Sequence, residues 1–215
     1  MKIIVFDTET NGLIPRNMDI VTENLEFLPY IVQLSYILFD TDSMKILVEH
    51  DFIIRLPDDV EISERCVEVH GISKEMSTIN GISINDALTN FEICLKRADV
   101  VIGHNITFDV NMIAVESLRN KINVRKEFMN TINYCTMKRT VNLCKIIAIN
   151  KNNEEYYKYP TLTQLHEHLF AETPLGTHNS MADVFICLRC YYKVKFDNDL
   201  CRLPGFKRSF YKICK

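Results

Sequence analysis

The chain has no tryptophan, and its 215 residues include six glycines and six prolines. So few helix- and strand-breakers exclude collagen-like repeats and the Pro/Gly-rich compositions of low-complexity chains. No apolar run approaches the roughly 20 residues that a membrane-spanning helix needs, so no membrane contact is expected. No leader is expected: the first apolar stretch starts within two residues of Met1, which predicts a protein acting in the cytosol or nucleus. There is no internal repeat. With 47% hydrophobic and 25% charged residues, the composition is that of a folded globular protein, read here as one domain over 1–215.

Eight cysteines in an intracellular chain are read as reduced thiols, most of them small core residues. Cys187 and Cys190 have C-x-x-C spacing, but Cys201 and Cys214 do not form a second such pair. The first pair also lies in a helical run, ADVFICLRCYY, where residues three apart share a buried face. A structural zinc site is therefore not expected. His166 and His168, two apart on a predicted helix, point to nearly opposite sides and cannot share a metal.

The net charge of −3 hides an uneven distribution. Glu49 to Glu75 holds eight acids and three bases, Ser117 to Lys145 seven bases and one acid, and Cys201 to Lys215 five bases and no acid. Two basic regions on a slightly acidic chain suit a side that faces a polyanion, or simply helices with solvated lysines.

Periodicity gives an α/β pattern. Ile3 to Phe6 reads as a strand buried on both faces, Ile31 to Phe39 and Lys45 to Leu56 as an antiparallel hairpin, and Val100 to Ile102 as a short buried strand. Ser83 caps a helix whose face is Ile84, Leu88, Phe91 and Leu95. Further helices are predicted over Thr107–Leu118, Met137–Ile147, Leu162–Phe170 and Ser180–Tyr192, with Ile14–Pro29 and Asn150–Tyr159 as loops.

Three short stretches carry chemistry. At the end of the first strand, Asp7 and Glu9 leave the same face because side chains alternate along an extended chain. Two neighbouring carboxylates beside an apolar core repel, and a divalent cation is the usual way to keep both ionised. The second stretch is GHNITFDVNMI, where Asp109 falls in the first turn of a helix after a second buried strand. The third is THNSMADV, with Asp183 in the first turn of a helix and His178 on the loop before it.

These residues resemble the DnaQ-like 3'-to-5' exonucleases of the DEDD class. Asp7 and Glu9 match the first motif, Asp109 the second and Asp183 the third. Histidine at 178, five residues before the last aspartate, and asparagine at 179 place the likeness in the histidine branch. It extends over about Lys2 to Tyr192 and includes Gly12–Leu13 and His70–Ser73. The resemblance implies a ribonuclease-H-like mixed sheet of about five strands, an antiparallel hairpin plus parallel strands, flanked by helices. It also implies two Mg²⁺ or Mn²⁺ ions held by Asp7, Glu9, Asp109 and Asp183, with His178 taking a proton from the attacking water. Thr8, Gly12, Leu13, His70, Asn105 and Phe108 would meet the substrate, although Phe108 reads equally well as core.

The implied substrate is nucleic acid with a 3' end, single-stranded or frayed DNA first. RNA trimming and a proofreading subunit docked on a polymerase remain as alternatives. The tail CRLPGFKRSFYKICK interleaves bases with Phe206, Phe210 and Tyr211, so it is a candidate for contact with substrate, with a protein partner or with the core.

Overall fold

The computed structural model describes residues 1–214. A nine-residue strand, β1 (Lys2–Thr10), runs through the middle of a five-stranded mixed sheet. It pairs antiparallel with β2 (Ile31–Asp40), which pairs antiparallel with β3 (Lys45–Ile53). Two short helices capped by serines follow, α1 (Glu64–His70) by Ser63 and α2 (Lys74–Asn80) by Ser73. Neither helix is foreseen by the apolar periodicity, since each is only two turns long. The chain then forms α3 (Ile84–Leu95), β4 (Val100–Gly103), α4 (Ile106–Asn120), α5 (Arg125–Asn130) and β5 (Ile132–Cys135). β4 is parallel to β1 and β5 parallel to β4, giving the order β3-β2-β1-β4-β5.

Alternation along β1 sorts the core. Ile3 and Val5 join Ile37, Phe39 and Ile102 on the face covered by the C-terminal helices. Ile4 and Phe6 join Leu34, Tyr36, Leu38 and Val101 on the face covered by α3 and α4, where Phe6 and Phe91 lie 5.1 Å apart. Each fully buried aliphatic or aromatic side chain contributes about 1.5–3 kcal/mol, so a strand buried on both faces is the natural centre of the molecule.

The loop from Ile14 to Pro29 is not free. It contains a short 3-10 turn at Thr22–Phe27 and is gathered by Arg119 of α4, whose guanidinium donates to the carbonyls of Leu25, Leu28 and Pro29. The same group lies 3.6 Å from the ring centroid of Tyr30 and pairs with buried Glu116 at 2.7 Å.

The second half departs from the periodicity in two places. The single helix expected over Met137–Ile147 is two, α6 (Thr136–Arg139) and α7 (Val141–Cys144), because the Thr140 hydroxyl donates back to Thr136 O and its backbone leaves the helical region. The expected loop Asn150–Tyr159 holds a strand: β6 (Ile147–Ile149) and β7 (Glu155–Tyr157) form a separate hairpin. The third strand also stops short of Leu56, whose N–H is taken by the Ser77 hydroxyl. Finally, α8 (Leu162–Phe170), α9 (Ser180–Phe196) and α10 (Pro204–Ile213) cover the Ile3/Val5 face. The basic tail is thus largely helix. Its Phe206 and Phe210 rings are buried and closed to stacking on bases, while Lys207, Arg208 and Lys212 are exposed. Cys187 and Cys190 are buried in the same core and carry free thiols.

Candidate active site

The odd-numbered residues of β1 continue past the core toward α9, so Asp7 and Glu9 face the helix that carries Asp183. Their oxygens converge: Asp7, Glu9 and Asp183 each offer one within 4.8 Å of the others. Even-numbered Thr8 points the other way, toward α4. Its N–H and hydroxyl both donate to Asp109 Oδ1, at 3.0 and 2.8 Å. Asp109 therefore stands outside the converging three, held against the strand end by Thr8. Thr8 lines the neighbouring cleft, but its hydroxyl serves this carboxylate rather than a free ligand.

The approach of α9 to β1 depends on polar groups that motif spacing does not reveal. The Ser180 hydroxyl donates to Asp7 O at 2.7 Å, and Ser180 N–H donates to Gln33 Oε1. Gln33 Nε2 and the Ser35 hydroxyl both donate to Asp51 Oδ1 at 2.7 Å. The readable sign is in β2: Gln33 and Ser35 are two polar residues, two apart, in a run that is otherwise apolar from Ile31 to Phe39. Asn179 caps the helix by accepting from Ala182 N–H. His178, exposed and with φ of +70°, donates its backbone N–H to Asp183 Oδ2 at 3.4 Å. Asp183 Oδ1 is buried and has no hydrogen-bond partner.

Burial dominates the electrostatics. It raises the Asp7 carboxyl well above the usual range, aided by Asp109, Asp183 and Glu9. Burial, then Asp183 and Asp109, pushes Glu9 up to about 8. Asp109 rises to about 7 against the opposing Thr8 hydrogen bonds, and Asp183 to about 6 against the His178 contacts. All-oxygen donors, three of them convergent and one buried oxygen orphaned, fit a hard divalent cation.

The sign of the pH effect follows. These carboxyls hold protons in the folded chain that the unfolded chain releases from about pH 4 upward, so metal-free stability is present at low pH and falls as pH rises toward 8. In EDTA the melting temperature should fall from pH 5 to pH 8, and Mg²⁺ should restore most of the loss at pH 8. A flat profile in EDTA would refute the buried, mutually repelling cluster.

Beside the carboxylates lies a cleft of about 520 Å³ lined by Thr8, Glu9, Gly12, Leu13, His70 and Phe108, with Ser63, Arg65 and Val69 completing the wall at α1. Leu13 is 80% exposed at its mouth, and Phe108 is half-buried against the core. His70 is buried. Its Nδ1 accepts from Ile72 N–H, which leaves the proton on Nε2, and that nitrogen has no hydrogen-bond partner. Five of the six anticipated substrate residues thus share one cleft. Asn105 does not: it is exposed at the start of α4 with φ of +65° and is not among the residues lining the cleft. The wall from α1, including the Arg65 cation, is missed by motif reading.

A mixed sheet in this order, with carboxylates at the end of its central strand and a late helix laid across them, is the ribonuclease-H-like exonuclease arrangement. A family model described as Exonuclease (RNase_T) matches residues 4–191. The chain belongs to that family, in its DEDD type with histidine ahead of the last aspartate. No curated protein matches it significantly.

Among solved structures, it is similar to Escherichia coli Exonuclease I in complex with a dT13 oligonucleotide, at 15% identity and a TM-score of 0.65, over 95% of this chain and 43% of that one. A zinc-bound form of the E. coli enzyme with single-stranded DNA gives 16% and 0.65, over 98% and 43%. Another exonuclease I structure, described as suggesting how processivity is achieved, gives 14% and 0.68, again over 98% and 43%. The chain spans less than half the length of these proteins, and at such identities the likeness is one of fold.

Proposed function

We propose that this chain, as a single catalytic domain, hydrolyses phosphodiester bonds at the 3' end of DNA and releases 5'-nucleotides. The observation that carries the reading is the convergence of Asp7, Glu9 and Asp183, with Asp109 held by Thr8, beside a cleft that Glu9 lines and that exposed Leu13 flanks. Asp7, Glu9 and Asp183 would hold divalent cations, with Asp109 in support, Mg²⁺ or Mn²⁺ first and two per site. Bound there, such cations supply positive charge against the phosphoryl oxygens and ease ionisation of the attacking water.

The chain's own groups do the rest. His178, on its loop beside Asp183, accepts the proton from the water. His70 forms the wall beside the terminal nucleotide, and Leu13 and Phe108 bracket its base, a sequence-tolerant contact suited to a non-specific exonuclease. Thr8 keeps Asp109 in place. The eight free thiols fit a reducing compartment, cytosol or nucleus. No helix among the described residues is long and apolar enough to cross a membrane.

The test uses purified protein with Mg²⁺, Mn²⁺ or Zn²⁺ and three 5'-labelled substrates: single-stranded DNA, duplex DNA with a mismatched 3' end, and RNA of the same sequence. The expected result is a ladder shortening from the 3' end on both DNAs. Cleavage of RNA alone, or internal cuts, would overturn the reading. Leu13→Ala should raise KM roughly tenfold and spare kcat, as loss of an apolar contact made equally in ground and transition states. A loss confined to kcat would remove Leu13 from the substrate contacts.

A further inference from the structure

The segment between α8 and α9, residues 171–179, has almost no core of its own. Pro174 is its one buried residue, while Ala171, Glu172, Thr173, Leu175, Gly176, His178 and Asn179 are exposed. Such a segment takes its order from what it leans on. It leans on α10 at two points.

The first is Glu172. Its carbonyl oxygen accepts from His166 Nδ1 at 2.8 Å, and its carboxylate accepts from Arg189 Nη1 at 3.1 Å. Arg189 is almost fully buried, donates to Asp199 through both Nε and Nη2, and gives a further Nη1 hydrogen bond to His166 Nε2. Phe210 of α10 closes this group, its ring stacked on His166 at 5.9 Å and 4.9 Å from the Arg189 guanidinium.

The second point is Gly176, where φ is +75° and the backbone passes so close to the end of α10 that a Cβ would sit 3.1 Å from Ile213 O. Cys214 in turn lies with its Sγ 3.7 Å from Ala182 O, in the first turn of α9 beside Asp183. Gly176 O then accepts from Asn179 N–H, so the two residues flanked by this contact, Thr177 and His178, are set by where α10 ends.

We propose that α10 and Cys214 just after it are a positioning brace: contacts at Ile213 and Cys214 hold the 171–179 loop so that His178 stands beside the carboxylates. The tail's aromatic and apolar residues then serve catalysis through the loop, without touching substrate. The proposal rests on His178 as proton acceptor, and a failure of that premise shows in His178→Ala alone, before α10 is altered.

The test is a chain ending at Lys212, which keeps Phe206 and Phe210 in the core, made with His178 intact and with His178→Ala. Folding is checked by circular dichroism and thermal melting, ion affinity by Mn²⁺ calorimetry, and chemistry by single-turnover hydrolysis of a labelled oligonucleotide. With His178 present, the truncation should leave Mn²⁺ affinity unchanged and slow hydrolysis roughly 10- to 100-fold, the cost of misplacing a reacting group by about an ångström. In the His178→Ala chain it should cost nothing further. An equal loss in both backgrounds, or no loss in either, overturns the brace. Should the truncated chain fail to fold, Gly176→Ala in the full chain carries the same contrast, since it disturbs the contact from the loop side. It must slow the His178 chain and not the His178→Ala chain, and any other pattern refutes the proposal.

Discussion

Asp7→Asn is expected to abolish hydrolysis and at the same time to make the metal-free protein more stable at pH 8. Both effects come from one charge. Asp7 belongs to the converging group with Glu9 and Asp183, and its carbonyl receives the Ser180 hydroxyl. An amide keeps the size and leaves that backbone contact untouched, but it removes an anion from a cluster whose members raise one another's pKa. Losing several kcal/mol of cation binding and charge stabilisation corresponds to about 10³-fold or more in rate. The measurement is a single-turnover assay beside a thermal melt in EDTA. A folded Asp7→Asn protein that hydrolyses DNA at the parent rate would end the carboxylate reading.

His178→Ala should lower the rate by roughly 10² to 10⁴, the contribution of a positioned general base, with little change in ion affinity. The structure separates the two properties. The hydrogen bond that His178 gives Asp183 comes from its backbone N–H, which alanine retains, while its exposed side chain acts on Asp183 only through charge. Mn²⁺ titration and single-turnover kinetics on one preparation decide the matter. Collapse of ion affinity, with activity restored by excess Mg²⁺, would make the imidazole a ligand instead.

The parts of this site that sequence made legible are those in which spacing and geometry coincide. Asp7 and Glu9 share a face because a strand alternates, and Asp183 and His178 divide between a helix turn and the loop before it. What stayed hidden depends on contacts between distant segments. Gln33 and Asp51 act on Ser180 across the sheet, and Thr8 turns toward Asp109 because it is the even residue between two odd ones. In the tail, bases and aromatics interleave along the sequence, and only the helix separates them, with Phe206 and Phe210, four apart, forming its buried face. The helix predicted over Met137–Ile147 broke at a threonine whose hydroxyl competes for the backbone, which apolar periodicity does not register.

The hydrogen bond from Ser180 to Asp7 closes a loop of 173 positions. Contacts so far apart form late, after the chain between them has been made and has begun to pack. A ribosome delivering this chain from its N-terminus releases the Asp7–Glu9 pair and much of the sheet well before α9 exists to complete the site. Until then the growing polypeptide holds two of the three converging carboxylates, Asp7 and Glu9, without Asp183.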